Sequence, residues 1–137
     1  MSKPLTFTQC CLYGFFPEAR EAYAAAAAAG SPITAQMVRA HGNELLRSAY
    51  INNRLDLADW LVGTFGLTAE DASAENHYAF RWACRNGHLS AAKALAERFA
   101  LDEISTKNRN IQAMEWAHRF GREDVTQWLA EQISTPA

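Results

Sequence analysis

The stretch Tyr78-Ala79-Phe80-Arg81-Trp82-Ala83-Cys84-Arg85-Asn86-Gly87-His88-Leu89-Ser90-Ala91-Ala92-Lys93-Ala94-Leu95 decides the fold. Phe80, Ala83 and Cys84 stand at i, i+3 and i+4, so they share one face of a helix. Asn86-Gly87 ends that helix, because Asn and Gly most readily take the left-handed conformation of a helix C-terminus. Leu89, Ala92, Leu95 or Ala96, and then Phe99 form a second apolar face. The stretch is therefore two short helices joined by a tight turn. Each is apolar along one side and needs a neighbour to bury it.

The neighbours are copies of the same unit. Ile33-Thr34-Ala35-Gln36 returns 34 residues later as Leu67-Thr68-Ala69-Glu70. The same offset joins Leu46, Phe80 and Met114, then Ala49, Ala83 and Ala117, then Leu61, Leu95 and Leu129. Asn53, Gly87 and Gly121 fall in register, as do Trp82 with Trp116, Trp60 with Trp128, and Phe65 with Phe99. A fixed period of this length is the signature of a solenoid, in which each unit stacks on the next. Units over 33–66, 67–100 and 101–132 follow, with 133–137 as a frayed tail. Thr68 to Asn76 and Asp102 to Asn110 read as polar connectors. Thr68-Ala69-Glu70-Asp71 has the form of an N-cap with acids in the first turn, so these connectors have room for a short helical turn. Residues 1–32 keep the period poorly, since Glu21 falls at the apolar position of Leu55. They read as a degenerate capping unit, Leu5 to Phe16 and Pro17 to Ala29, with Pro17 at a helix start. The whole is a single repeat domain over 1–137.

Composition agrees. The 137 residues include 26 Ala but only seven Gly and four Pro, which suits close-packed helices and not a fold of many β-turns. The net charge of −2 lacks the basic surplus of a nucleic-acid binder. Three cysteines are an odd number, and Cys10 and Cys11 are adjacent, so a disulfide framework is not expected and a reducing cytoplasm is. Met1-Ser2-Lys3-Pro4 does not lead into a signal-peptide pattern, and Ala22 to Ala29 is too short to span a bilayer. The chain reads as a soluble, complete small module.

The quoted stretch resembles the ankyrin repeat, whose pattern runs Thr-Pro-Leu-His-Leu-Ala-Ala-x-x-Gly-His-Leu and then an apolar helix ending in Leu-Leu. Phe80, Ala83, Asn86-Gly87-His88-Leu89, Ala92 and Leu95 carry the match. Phe65-Gly66-Leu67-Thr68-Ala69-Glu70-Asp71 is similar to the connector of a divergent subtype found in large viruses and some microbes. The Thr-Pro pair is absent, replaced by Glu44-Leu45, Tyr78-Ala79 and Gln112-Ala113. Each connector carries one residue beyond the usual 33, and the hairpin tip holds Gly42, Asn76 or Asn110. The resemblance covers about Ile33 to Leu129 and implies an all-α, ankyrin-like solenoid of helix-turn-helix repeats.

That resemblance also implies a function: binding a partner protein on the concave face, as an inhibitor or adaptor. The family's contact positions correspond here to Ala40, His41, Asn43, Ile51 and Asn52, to Ala74, Glu75, His77, Arg85 and Asn86, and to Asn108, Arg109, Ile111, Arg119 and Phe120. The partner-binding set is then His41, Asn43, Asn52, His77, Arg85, Asn86, Arg109, Arg119 and Phe120, a basic stripe suited to an acidic protein patch. Arg85, Arg119 and Phe120 lead it, because Arg and aromatics dominate interface hot spots. Trp82 and Trp116 occupy a usual core Leu position and are expected in the core. The alternative is a binder of nucleic acid, or of a nucleic-acid-handling complex such as a host defence complex. It would use Arg81, Arg85, Arg109, Arg119 and Arg122.

Catalysis, metal and cofactor are not expected. His41, His77, His88 and His118 include no His-x-x-x-His pair, and no Cys-x-x-Cys occurs. Cys84 replaces a core Ala and reads as a buried small hydrophobe. Cys10 has no base beside it in sequence, and no Gly-rich phosphate loop or Gly-x-Ser-x-Gly is present. Glu70-Asp71 and Glu123-Asp124 sit at helix starts, where the helix dipole accounts for them.

Overall fold

Thr6 opens the first helix with a reciprocal cap: its hydroxyl accepts from the Gln9 N–H and the Gln9 side chain accepts from the Thr6 N–H. The computed structural model describes residues 5–99 and 103–134, with side chains except those of Asn76, 103–109 and 133–134. In it α1 (Phe7–Tyr13) and α2 (Phe16–Ala28) form the N-terminal pair, with Pro17 in the first turn of α2. Then come α3 (Ala35–Val38), α4 (Ala40–Ile51) and α5 (Leu55–Phe65), followed by α6 (Ala69–Ala72), α7 (Ala74–Arg85) and α8 (Leu89–Arg98). The chain ends with α9 (Glu103–Arg119) and α10 (Glu123–Ser134). No strand occurs among the described residues.

The long helices stack in order. α4 packs on α1 and α7, and α7 packs on α9, while α5, α8 and α10 back onto their own partners. Ala49, Ala83 and Ala117 are all 0% exposed, one per unit, where the methyl group lets the helices approach. Leu46, Phe80, Leu61, Leu95 and Leu129 fill the core around them, and Cys84 is buried there too. At the N-terminal end Phe7, Phe16, Tyr23, Trp60 and Phe65 interlock, edge to face except for the tilted Phe7–Trp60 pair, with ring centroids 5.5–6.1 Å apart. This cluster docks α1 and α2 on α5.

The connectors differ from hairpins. Each of the first two holds a single helical turn, α3 or α6, and then a left-handed tip. His41, Gly42 and Asn43 have φ of 57°, 64° and 60°, and Glu75 and His77 have 57° and 60°. Left-handed backbone costs roughly 1–2 kcal/mol per non-glycine residue, so something must hold the tip. Arg47 does: its Nε donates to the Gly42 carbonyl and its Nη2 to the His41 carbonyl, both at 2.8 Å. In the last unit α9 runs helically from Glu103, across the stretch read from sequence as a polar connector.

Two side-chain devices tie unit to unit. Asp71, buried at 7% exposure, accepts from Arg39 Nε at 2.9 Å, Asn43 Nδ2 at 3.1 Å and the Thr68 N–H at 2.8 Å. Burial is the largest influence on its carboxyl and acts upward. The Thr68, Arg39 and Asn43 hydrogen bonds and the Arg39 charge outweigh it and hold the pKa below the ordinary value. The second device is an arginine at the entry of a second helix that reaches back across the unit boundary. Arg54 Nη1 donates to the Leu12 carbonyl at 2.8 Å, and Arg122 Nε to the Arg85 carbonyl at 3.1 Å. Gly87 makes the latter possible. Its φ is 78°, and a Cβ there would lie 2.8 Å from Arg122 Cδ.

Candidate partner-binding face

The period of 34 places Ser48, Trp82 and Trp116 in one row, with Arg47 beside Arg81 and Ile51 beside Arg85 and Arg119. Within α7, Tyr78, Arg81, Trp82 and Arg85 follow the i, i+3, i+4, i+7 spacing of one helix face. The structure turns this pattern into a column of stacked rings and guanidinium groups. Arg47 Cζ lies over the Tyr78 ring, 4.8 Å from its centroid. Tyr78 stacks on Trp82 at 5.5 Å with 27° between planes. Arg85 Cζ lies over Trp82 at 4.4 Å and over Phe120 at 4.3 Å. Beside the column, Arg81 sits over Tyr78 and Trp116 at 5.9 and 5.6 Å, and Trp116 meets Trp82 edge-on at 5.8 Å. Cation–π contacts of this kind are worth about 0.5–2 kcal/mol each, the more so when water is partly excluded.

Trp82 and Trp116 were expected in the core and are not there. Both are half-buried and lie outside the buried cluster. Each indole instead meets an arginine and the other indole. Phe120 is 43% exposed and rests on Arg85. Of the residues expected to touch a partner, the structure brings Arg85, Asn86 and Phe120 together. Asn86 also reaches the Ile51 carbonyl of the preceding unit at 3.4 Å. Arg119 is exposed one unit along from Arg85.

The remaining residues of that set lie elsewhere or do other work. Asn43 is buried at 7% exposure and donates to Asp71, so it joins two connectors and offers no open surface. Asn52 is exposed but turns its amide back to the Ser48 carbonyl at 2.9 Å. His41 and His77 occupy the left-handed tips, His41 exposed and His77 half-buried. Arg109 and Asn108 fall on side chains outside the described residues. The row of arginines proposed for nucleic acid does not form a free stripe, because Arg81 and Arg85 are stacked on rings and Arg122 is bound to the Arg85 carbonyl. Sequence reasoning missed Tyr78 and Arg47. The signal was present in the i, i+4 pair Tyr78 and Trp82 and in the 34-residue step from Trp82 to Trp116.

The cysteines are shielded from solvent. Cys10, Cys11 and Cys84 are buried and form no disulfide. Burial and the neighbouring Cys10 push the Cys11 thiol up to about 12, and burial with Glu18 raises Cys10, so neither holds a thiolate near neutral pH. Among the described residues no group of three or more His, Cys, Asp or Glu gathers around a point, and no helix is long and apolar enough to cross a membrane.

A family model for ankyrin repeats, in three copies, matches residues 45–136. The chain belongs to the ankyrin-repeat family. The match starts inside α4, so α1, α2 and α3 precede it. No curated protein and no solved structure matches the chain. Ankyrin repeats are generally protein–protein interaction modules and typically non-enzymatic, and the all-helical solenoid described above is the repeat fold. In this ankyrin-repeat protein the face formed by α4, α7 and the end of α9 carries the ring-and-arginine column.

Proposed function

We propose that this ankyrin-repeat protein is a non-catalytic module that binds a partner protein on the concave face lined by α4, α7 and α9, acting as an inhibitor or adaptor. The column of Arg47, Tyr78, Trp82, Arg85 and Phe120 carries the reading. It sets large rigid rings and arginine at an open surface, the residue types that dominate binding hot spots. It also spans three successive units, so a partner laid along it would meet a continuous strip. The arginines favour a partner that presents acidic groups among apolar ones. Three buried cysteines without a disulfide favour a reducing, cytoplasmic setting.

The test compares immobilised wild-type chain with the double variant Arg119→Ala, Phe120→Ala in quantitative capture from cells that make the protein or from their host. Both side chains are exposed, so thermal stability should stay within about 1 kcal/mol of wild type. A set of proteins enriched on wild type and lost from the variant is the expected result. Identical enrichment on both would refute the assignment of this face.

A further inference from the structure

The arginines of the column differ in how their N–H groups are used. Arg47 donates to two tip carbonyls, and Arg122 to the Arg85 carbonyl. Arg85 lies between the Trp82 and Phe120 rings, and among the described residues its guanidinium makes one hydrogen bond, from Nη1 to Asn86 Oδ1 at a long 3.4 Å. No carboxylate pairs with it among the described residues. Its flat sides are therefore covered, and most of its N–H groups meet no acceptor among the described residues. A guanidinium held this way presents N–H donors in the fixed fork that fits a carboxylate, and its ordering cost has already been met within the fold.

We propose that Arg85 is the receptor for one carboxylate of a partner polypeptide, an Asp or Glu side chain whose apolar neighbour in the partner packs on Phe120 and Trp116. The proposal rests on the reading of this face as the partner-binding one. Charge complementarity favours it: Arg47, Arg81, Arg85, Arg119 and Arg122 gather here on a chain whose net charge is −2. A nucleic-acid strand fits less well, because it needs several free cations in succession. Arg47 and Arg122 are engaged within the chain and Arg81 lies over two rings.

The experiment selects random displayed dodecapeptides on the whole wild-type protein. Synthetic copies of the enriched peptides are then measured on wild type, Arg85→Gln, Arg85→Lys, and the Arg119→Ala, Phe120→Ala double variant. We expect an Asp or Glu in each peptide whose change to Asn or Gln weakens binding about tenfold on wild type. The same change should alter affinity less than about twofold on Arg85→Gln, and Arg85→Lys should behave alike because it keeps the charge and loses the fork. Peptides that bind and respond to the double variant, yet show no acidic position coupled to Arg85, would overturn the carboxylate receptor and leave the face assignment standing. Peptides indifferent to the double variant, or a library that yields no binder, would count against both. A thymidylate dodecamer is the control. Tight binding of it that falls steeply with salt and is lost in Arg85→Gln would reassign the site to phosphate.

Discussion

Replacing Asp71 with Ala should loosen the joint between the first two ankyrin units. The carboxylate accepts three hydrogen bonds of 3.1 Å or shorter, from Arg39, Asn43 and the Thr68 N–H. Loss of the Thr68 cap costs about 1 kcal/mol. Loss of the buried bond to Asn43 costs a further 1–3 kcal/mol or so. The Asn43 Oδ1 already has no partner, so the substitution leaves both ends of a buried amide unpaired. Arg39 is 41% exposed, and its ion pair adds little beyond this. Because the groups share one acceptor the costs do not simply add, and the net loss should be about 3 kcal/mol. That lowers Tm by roughly 10 °C in a chain of this size, read by circular dichroism with urea unfolding as a check.

Acidification supplies a second arm. The folded pKa of Asp71 lies below the ordinary 3.8. As pH falls, the unfolded chain takes up this proton first, so the stabilisation is complete above pH ~4 and is lost as pH drops through the folded pKa. Wild type should therefore lose more stability than Asp71→Asn below that point. A loss under about 1 kcal/mol for Asp71→Ala, or parallel acid profiles for wild type and Asp71→Asn, would refute the reasoning.

Three further outcomes can be checked on the same instruments. Ala83→Leu should cost at least about 1–3 kcal/mol, because Ala83 is wholly buried and the helices cannot separate without opening the core. Gly87→Ala should destabilise more than Gly121→Ala: both have positive φ, but only at Gly87 would the added methyl meet Arg122, while nothing lies within 4 Å at Gly121. A thiol reagent should leave Cys10, Cys11 and Cys84 unmodified in the native protein and label all three after unfolding, as their burial and the raised thiols of Cys10 and Cys11 dictate.

The helix pairs were legible because their residues repeat. Leu61, Leu95 and Leu129 stand one period apart and all three are buried, so one packing rule wrote itself three times. The capping of α6 was legible at Thr68 and Asp71 for a local reason: the cap lies within four residues. What Asp71 does beyond the cap was not legible, since Arg39 and Asn43 reach it from 32 and 28 residues away and neither recurs at the period. The same limit hid the site. Trp82 fits an apolar position by spacing alone, whereas its place beside Trp116 rests on a contact across 34 residues. The tips were read as hairpin tips, and the left-handed course of the first is held by Arg47, four residues beyond Asn43 and itself held by a ring in the next unit.

The neighbour-to-neighbour order of the stack, α1 on α4, α4 on α7 and α7 on α9, has a kinetic consequence. Every principal contact joins segments close in sequence, so folding has few long loops to close and should be fast for the chain's length. No unit must wait for a distant one: the pair of α7 and α8, with a neighbour on each side, can serve as a seed from which order spreads both ways. Amide hydrogen exchange should then report a gradient rather than one global barrier, slowest in α7 and faster toward α10, with the interlocked rings of α1, α2 and α5 slowing the opposite end.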